Sequence, residues 1–240
     1  MTNADWDDMW LHEGFGSYMQ PLYLQWLHGD MEFQAELFNH RKSLRNKVPV
    51  VSGKSQRIED VYDDERGGPG NDIYTKGSLI LHTLRNLIGD DAFFRATRRM
   101  VYGTDTPAPG NFQPRWSSTR EFIAIVNEVG GRDLGWFFDA YLYHAALPEL
   151  VETRGGGKLQ LDWKLKDGGP FPMPLEVRVN DDNGERIVRL PMTDGSGELP
   201  LPANALYTVD PGSRVLRQEA HIDEWKRDDD ERKKKKAKAS

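Results

Sequence analysis

The sequence contains no cysteine. That absence removes disulfides, thiolate metal sites and cysteine nucleophiles together, so any metal site must be built from His, Asp or Glu. Long apolar runs are also lacking: no stretch approaches the roughly 18 consecutive apolar residues of a membrane span. Positive charge is in deficit, with 32 Lys and Arg against 38 Asp and Glu and a formal net charge of −6. A general nucleic-acid binder carries the opposite sign over its folded part. The first residues, from Met1 to Asp8, are acidic where a secretory leader is basic and then apolar, so no signal peptide is expected in the chain as given. A soluble globular chain of 240 residues survives these exclusions, with room for one large domain or two small ones. Its compartment and oligomeric state stay open.

What is present changes character near Leu147. Before it the apolar period is helical. Trp6 to Leu27 and Asp30 to Lys47 read as the first two helices, broken around Gly29. Ile73, Leu79, Ile80, Leu84 and Leu87 keep close to an i, i+3, i+4 rhythm over Asp72 to Leu87, and Gly89 ends that run. Ser117-Ser118-Thr119-Arg120-Glu121 offers an N-cap and a capping acid for a helix to Val129, which Gly130 and Gly131 stop before another from Asp133 to Ala146. Glu65 to Asn71 and Gly103 to Trp116 read as loops. Beyond Leu147 lie eight of the 14 prolines, between Pro148 and Pro211, among runs that alternate apolar and polar. Leu159 to Leu165, Leu175 to Val179, Ile187 to Leu190 and Leu206 to Val209 predict strands, and Asp182-Asn183-Gly184 and Asp194-Gly195 predict turns between them. The expected fold class is α+β: helices over residues 1–147, then a small antiparallel β-sandwich over 148–220. The last stretch, 221–240, holds eight basic and six acidic residues and reads as a disordered charged tail.

Glu13 is the most informative position for chemistry. On a helix through Trp6 it lies on the same stripe as Trp6 and Trp10. A carboxylate there calls for something cationic to meet it, either a metal ion or an Arg or Lys from elsewhere. Gly14 and Gly16 beside it are poor helix formers that suit a close approach of another backbone. Glu36 and His40 share a helix face at i, i+4 and read as a solvated pair. His144 reads as a cation at a helix C-terminus and His82 as a core or boundary histidine. Gly67-Gly68-Pro69-Gly70 follows no strand and precedes no Lys-Ser/Thr, so it is not a phosphate cradle. No serine sits in a Gly-x-Ser-x-Gly elbow.

Trp6-Asp-Asp-Met-Trp-Leu-His-Glu-Gly-Phe-Gly-Ser-Tyr18 resembles the second zinc-site segment of the aminopeptidase N family of zinc metallopeptidases, the gluzincins, usually Trp-Leu-Asn-Glu-Gly-Phe-Ala. Tyr74-Thr-Lys-Gly77 and the Gly89-Asp-Asp-Ala-Phe-Phe94 continuation are similar to that family's Tyr-Glu-Lys-Gly segment. Trp136-Phe-Phe-Asp-Ala-Tyr141 through Leu147-Pro-Glu-Leu150 resembles the end of its helical catalytic domain. The three stand in the family's order. The resemblance implies the mainly helical C-terminal half of a thermolysin-like catalytic domain followed by the β-sandwich. It implies Glu13 as a Zn²⁺ ligand and Tyr74 as the phenol that donates to the oxyanion of the tetrahedral intermediate. His12 stands where the family usually has Asn.

The family's His-Glu-x-x-His helix has no counterpart: His12, His28, His40, His82, His144 and His221 are the histidines, none in that spacing. Its interval from Glu13 places that helix ahead of Met1, as it does the Gly-x-Met-Glu-Asn segment that grips a substrate's free amine. The expectation is therefore the C-terminal part of an enzyme that removes N-terminal residues from peptides, with weak or no zinc binding by this chain and no catalysis by it alone. A peptide substrate belongs to the complete enzyme. The alternative is a non-catalytic scaffold or peptide-binding protein derived from the same family.

Overall fold

The computed structural model describes residues 1–110 and 113–239. Residues 111 and 112 of the expected 103–116 loop, and residue 240 of the expected tail, lie outside them. The chain starts with a short strand, β1 (Thr2–Asn3), and a single 3₁₀ turn over Trp6–Asp8, followed by α1 (Trp10–His28) and α2 (Asp30–Ser43). The helices α3 (Ile58–Val61), α4 (Asp72–Ile88) and α5 (Asp90–Tyr102) come next, then β2 (Trp116–Ser117), α6 (Thr119–Gly130) and α7 (Gly135–Phe138). A π-turn over Asp139–Tyr143 leads into six strands: β3 (Glu149–Gly155), β4 (Lys158–Lys164), β5 (Leu175–Asp181), β6 (Gly184–Leu190), β7 (Ser196–Pro200) and β8 (Leu206–Val209). The last element is α8 (Ala220–Ala239). No helix among the described residues is long and apolar enough to cross a membrane.

Local chemistry accounts for the helix ends. The acidic opening supplies acceptors: Asp5 caps the 3₁₀ turn through Asp7 N, Asp7 takes the N–H groups of Ser52 and Gly53, and Asp8 takes that of Thr119. Ser118 Oγ accepts from Glu121 N at 3.2 Å, the cap expected for α6. The second helix stops at Ser43 rather than Lys47. The Asp72 carboxylate, 1 % exposed, captures the backbone N–H groups of Arg45 and Asn46 at 2.8 and 2.6 Å, drawing the chain away from α2. The helix expected over Asp133 to Ala146 is likewise cut short, because Lys76 Nζ donates to the carbonyls of His144 and Ala145, both at 3.0 Å.

The helical half packs around α1 and α4, which cross at Gly14 and Gly77. An added Cβ on Gly77 would stand 2.9 Å from Gly14 Cα, so neither position has room for a side chain. Trp10, Phe15, Phe122 and Phe138 fill the space toward α6 with edge-to-face contacts, and Trp10 Nε1 donates to Thr119 Oγ1 at 2.9 Å.

The strands form two three-stranded antiparallel sheets, ordered β3-β4-β7 and β6-β5-β8. Alternation decides which residues point inward: Leu159, Leu161 and Trp163 from β4, Leu175, Val177 and Val179 from β5. The Asp182-Asn183-Gly184 turn joins β5 to β6 as expected. β3 and β7 lie outside the strands expected from sequence. Phe171 ties the sheets to the helices, its ring edge-on to Trp136, Tyr141 and Trp163 at 5.3 to 5.6 Å.

In the stretch read from sequence as a charged tail, the described residues are helical. Residues 220–239 form α8, whose first turns pack on α2: Ile222 is 4 % exposed, Lys226 Nζ donates to Leu44 O, and the His221 ring stacks on Phe38. Farther along, Asp229 pairs with Lys233 at i, i+4, the favourable acid-before-base order.

Candidate active site

Glu13 and Tyr74 come together where α1 crosses α4. Each precedes its helix's crossing glycine, Gly14 by one residue and Gly77 by three, so a close backbone approach brings the two side chains side by side. A third group joins them from the loop before α4. The Tyr62 hydroxyl donates to Glu13 Oε1 at 2.9 Å, and the Tyr62 and Tyr74 rings tilt against each other with centroids 6.4 Å apart. The Glu13 carboxylate also acts on the Tyr74 phenol, raising its pKa after burial does. The glycine-rich run explains how Tyr62 arrives: Gly68 lies against Asp60, where a Cβ would fall 1.7 Å from the carbonyl oxygen, and Gly70 N bonds Val61 O at 3.0 Å. That run is a tight turn that folds α3 and Tyr62 back over the start of α4.

The electrostatics favour neutral phenols. Burial and then the Glu13 carboxylate raise the pKa of both hydroxyls, that of Tyr62 well above the usual tyrosine range. Both are protonated at neutral pH and can donate. The sequence pointed to a cation opposite Glu13; among the described residues the carboxylate has no ion-pair partner and is met by the Tyr62 hydroxyl instead. Nor does it lie on a buried indole stripe, since Trp10 is fully buried while Trp6 is 37 % exposed. His12 turns away, its Nε2 accepting from Asn3 N at 3.2 Å.

Tyr62 carries no motif of its own. The available signal was the Gly67–Gly70 cluster immediately before the Tyr74 segment, which shows that the chain reverses there. The other candidates fall elsewhere. His40 is buried rather than solvated, at 7 % exposure: its Nδ1 meets Ser78 Oγ of α4 at 3.0 Å, with Glu36 at 3.6 Å, and burial lowers its pKa. His82 is a core residue, 4 % exposed, beside the Tyr18 hydroxyl, and burial lowers its pKa to about 3. His144 lies between Asp139 and Asp167, at 3.4 and 2.9 Å.

The Peptidase family M1 domain matches residues 1–141, more than half of the chain and the whole stretch that carries Glu13, Tyr62 and Tyr74. The chain belongs to peptidase family M1. This M1 chain is 32 % identical over 153 residues to leucine aminopeptidase 2 of Ajellomyces capsulatus (strain NAm1 / WU24), covering 62 % of the chain and 24 % of that relative. It is 24 % identical over 155 residues to aminopeptidase N of Lactococcus lactis subsp. lactis, covering 62 % and 17 %. Among solved structures, Legionella pneumophila aminopeptidase A in complex with aspartic acid superposes with a TM-score of 0.62 at 15 % identity, over 92 % of the chain and 25 % of that protein, a likeness of fold. The M1 chain thus spans about a quarter or less of the length of these relatives.

M1 enzymes use zinc, and the donor set here can be tested against that ion. A hydrolytic zinc site keeps three protein ligands and an open position. Among the described residues no group of three or more His, Cys, Asp or Glu is placed to hold a metal. One carboxylate bonded by a single phenol does not make such a site.

Proposed function

We propose that this chain is the C-terminal part of a zinc-dependent M1 aminopeptidase, an enzyme that removes N-terminal residues from peptides. In this proposal Glu13 is a carboxylate contributed to the metal and Tyr74 a donor to charge developing on the substrate carbonyl oxygen. The observation that carries it is the Glu13–Tyr62–Tyr74 cluster at the α1–α4 crossing. A carboxylate that accepts from the Tyr62 hydroxyl is oriented before any ligand arrives. A phenol kept protonated by burial and a neighbouring negative charge is a ready hydrogen-bond donor, and a preorganised donor of this kind lowers the energy of an oxyanion. The described residues do not complete a zinc site.

The test uses the chain joined to the segment encoded directly upstream in its reading frame. That segment is expected to contain His-Glu-x-x-His, and the joined protein to hydrolyse aminoacyl p-nitroanilides in a chelator-sensitive way. Glu13→Ala should then reduce bound zinc measured by atomic absorption. Tyr74→Phe should keep the zinc and lower kcat by roughly two to three orders of magnitude. An upstream segment without the motif, or Tyr74→Phe at full kcat, overturns the assignment.

A further inference from the structure

The two sheets of the β half have four edge strands, and three of them are short or covered: β6 and β7 lie against each other, and β8 has only four residues. The fourth is β3. Its seven residues pair with β4 alone, and among the described residues no backbone hydrogen bond joins them to any other segment. All but Leu150 are exposed, and neither a proline nor a lysine interrupts the strand. The hairpin decides which of its backbone groups are free. Gly156 and Gly157, both at positive φ, make a two-residue turn between Gly155 and Lys158, which pair directly. The N–H and C=O groups of Gly155, Thr153, Val151 and Glu149 therefore bond β4, while those of Leu150, Glu152 and Arg154 point outward. An open edge of this kind is a template for another strand.

The side chains on that edge define the strand that fits. Glu152 and Arg154 flank Thr153, and among the described residues neither has an ion-pair partner. Arg154 uses one nitrogen for the carbonyls of Pro202, Ala203 and Ala205, at 2.7 to 3.0 Å, and lies over the Tyr207 ring at 5.7 Å. Those contacts hold the guanidinium in place and leave two of its nitrogens for a partner. Of the charges on β4, Lys158 is paired with Glu198 at 2.6 Å, while Lys164 stands opposite Glu149 and Asp162 opposite Val151, toward the other end of the strand. Two copies of β3 can meet antiparallel about a two-fold axis in a few registers. An axis at Glu152 sets two carboxylates opposite each other, which destabilises the pairing. An axis at Val151 sets Leu150 against Glu152 and Arg154 against Pro148. An axis at Thr153 sets Glu152 of each copy opposite Arg154 of the other, with the outward backbone groups of both in hydrogen-bonding position. The order Glu-Thr-Arg is its own complement, so the matching strand is this strand.

We infer that β3 is the interface between two copies of this chain, which pair antiparallel about Thr153 and merge two β3-β4-β7 sheets into one of six strands. The two Thr153 residues then face each other as a non-hydrogen-bonded pair, with Cα atoms about 4.5 Å apart.

The chain has no cysteine, so single cysteines report the register. Thr153→Cys should cross-link into a dimer under mild oxidation, because a facing pair of this kind lies within disulfide reach. Val151→Cys, which faces Gly155 of the other copy, should not. Sedimentation velocity of the parent up to about 1 mM should show a concentration-dependent dimer. Glu152→Arg and Arg154→Glu each set like charges opposite one another and should weaken that dimer at least about tenfold. An equimolar mixture of the two variants should recover it, since each charge then meets its opposite. Glu152→Pro removes an outward N–H, spares the bonds to β4 and should give a monomer with the circular dichroism of the parent. The inference is overturned if the parent stays monomeric at about 1 mM, if Val151→Cys cross-links as well as Thr153→Cys, if the mixture dimerises no better than its parts, or if Glu152→Pro still dimerises. A monomeric parent that binds a fluorescein-labelled Thr-Val-Thr-Val-Thr-Val peptide, read by anisotropy, also overturns it and gives the edge to a foreign strand.

Discussion

Gly14→Ala and Gly16→Ala, two residues apart on the same helix, should change stability in opposite directions. Both substitutions restrict the unfolded chain equally and raise helix propensity equally, by about 0.5–1 kcal/mol. They differ in what the new methyl meets. At Gly16 nothing lies within 4 Å, so the gain is kept. At Gly14 the methyl would stand 3.0 Å from Gly77 Cα and 3.1 Å from its carbonyl carbon. Carbon pairs rest at about 3.5–4.0 Å, so α1 and α4 must part by roughly 0.5–1 Å. Both contacts are with backbone, which cannot rotate aside. Overpacking of this kind costs about 1–3 kcal/mol, more than the gain over most of that range, leaving Gly14→Ala net destabilised by up to about 2 kcal/mol. The equal gain cancels between them, so the pair should differ by the overpacking cost alone, about 1–3 kcal/mol. At about 2–4 °C per kcal/mol for a chain of this size, their melting temperatures separate by about 2–12 °C. Gly77→Ala should behave like Gly14→Ala, and the double variant should cost less than the sum, since helices already parted accommodate the second methyl. Urea titration and thermal melts read all four proteins. If Gly14→Ala is as stable as Gly16→Ala, the close crossing that places Glu13 beside Tyr74 is wrong.

Two further outcomes test the packing. Burial pulls Lys76 down from 10.5 to about 8, against the opposing pull of Asp72, so between those values the unfolded chain holds a proton that the folded chain has released. Stability should therefore rise with pH across that window, by about 3 kcal/mol at about 1.4 kcal/mol per pH unit; urea midpoints of the parent and Lys76→Met, compared from pH 7.5 to 10, should diverge steadily, and parallel curves would refute the assignment. Ser118→Ala removes the bond from Glu121 N and should cost about 1 kcal/mol in the same assay, whereas no change would mean that the Asp8 bond to Thr119 N holds the start of α6 alone.

Sequence legibility followed how local each signal was. Gly29, Gly89 and Gly131 marked helix ends, and each takes a positive φ, which only glycine adopts freely. Ser118 and Glu121 marked a helix start through one hydrogen bond inside the segment. The hairpin at Asp182–Gly184 was readable for the same reason. β3 was not: its exposed residues show no alternation, and it becomes a strand only by pairing with β4. β7 is short and carries Gly197 and Pro200, and α5 has no cap motif, so both depend on partners distant in sequence. α8 hid behind its charge, because two apolar residues, Ile222 and Trp225, suffice to seat its first turns once α2 is in place.

The candidate site divides along the same line. Sequence alone determined the family, through three ordered motifs, and pointed to Glu13 and Tyr74 with Gly14 as a place of close backbone approach; each of these signals is contained in a few consecutive residues. Only the tertiary structure decided what Glu13 faces. Tyr62, 49 residues away, reaches it because Gly68 lets the chain fold back against Asp60. Lys76 and Asp72 likewise end helices to which they do not belong, taking carbonyl and N–H groups from segments 68 and 27 residues distant. A side chain's partner across such a span depends on where the whole backbone goes, and no local pattern of residues carries that information.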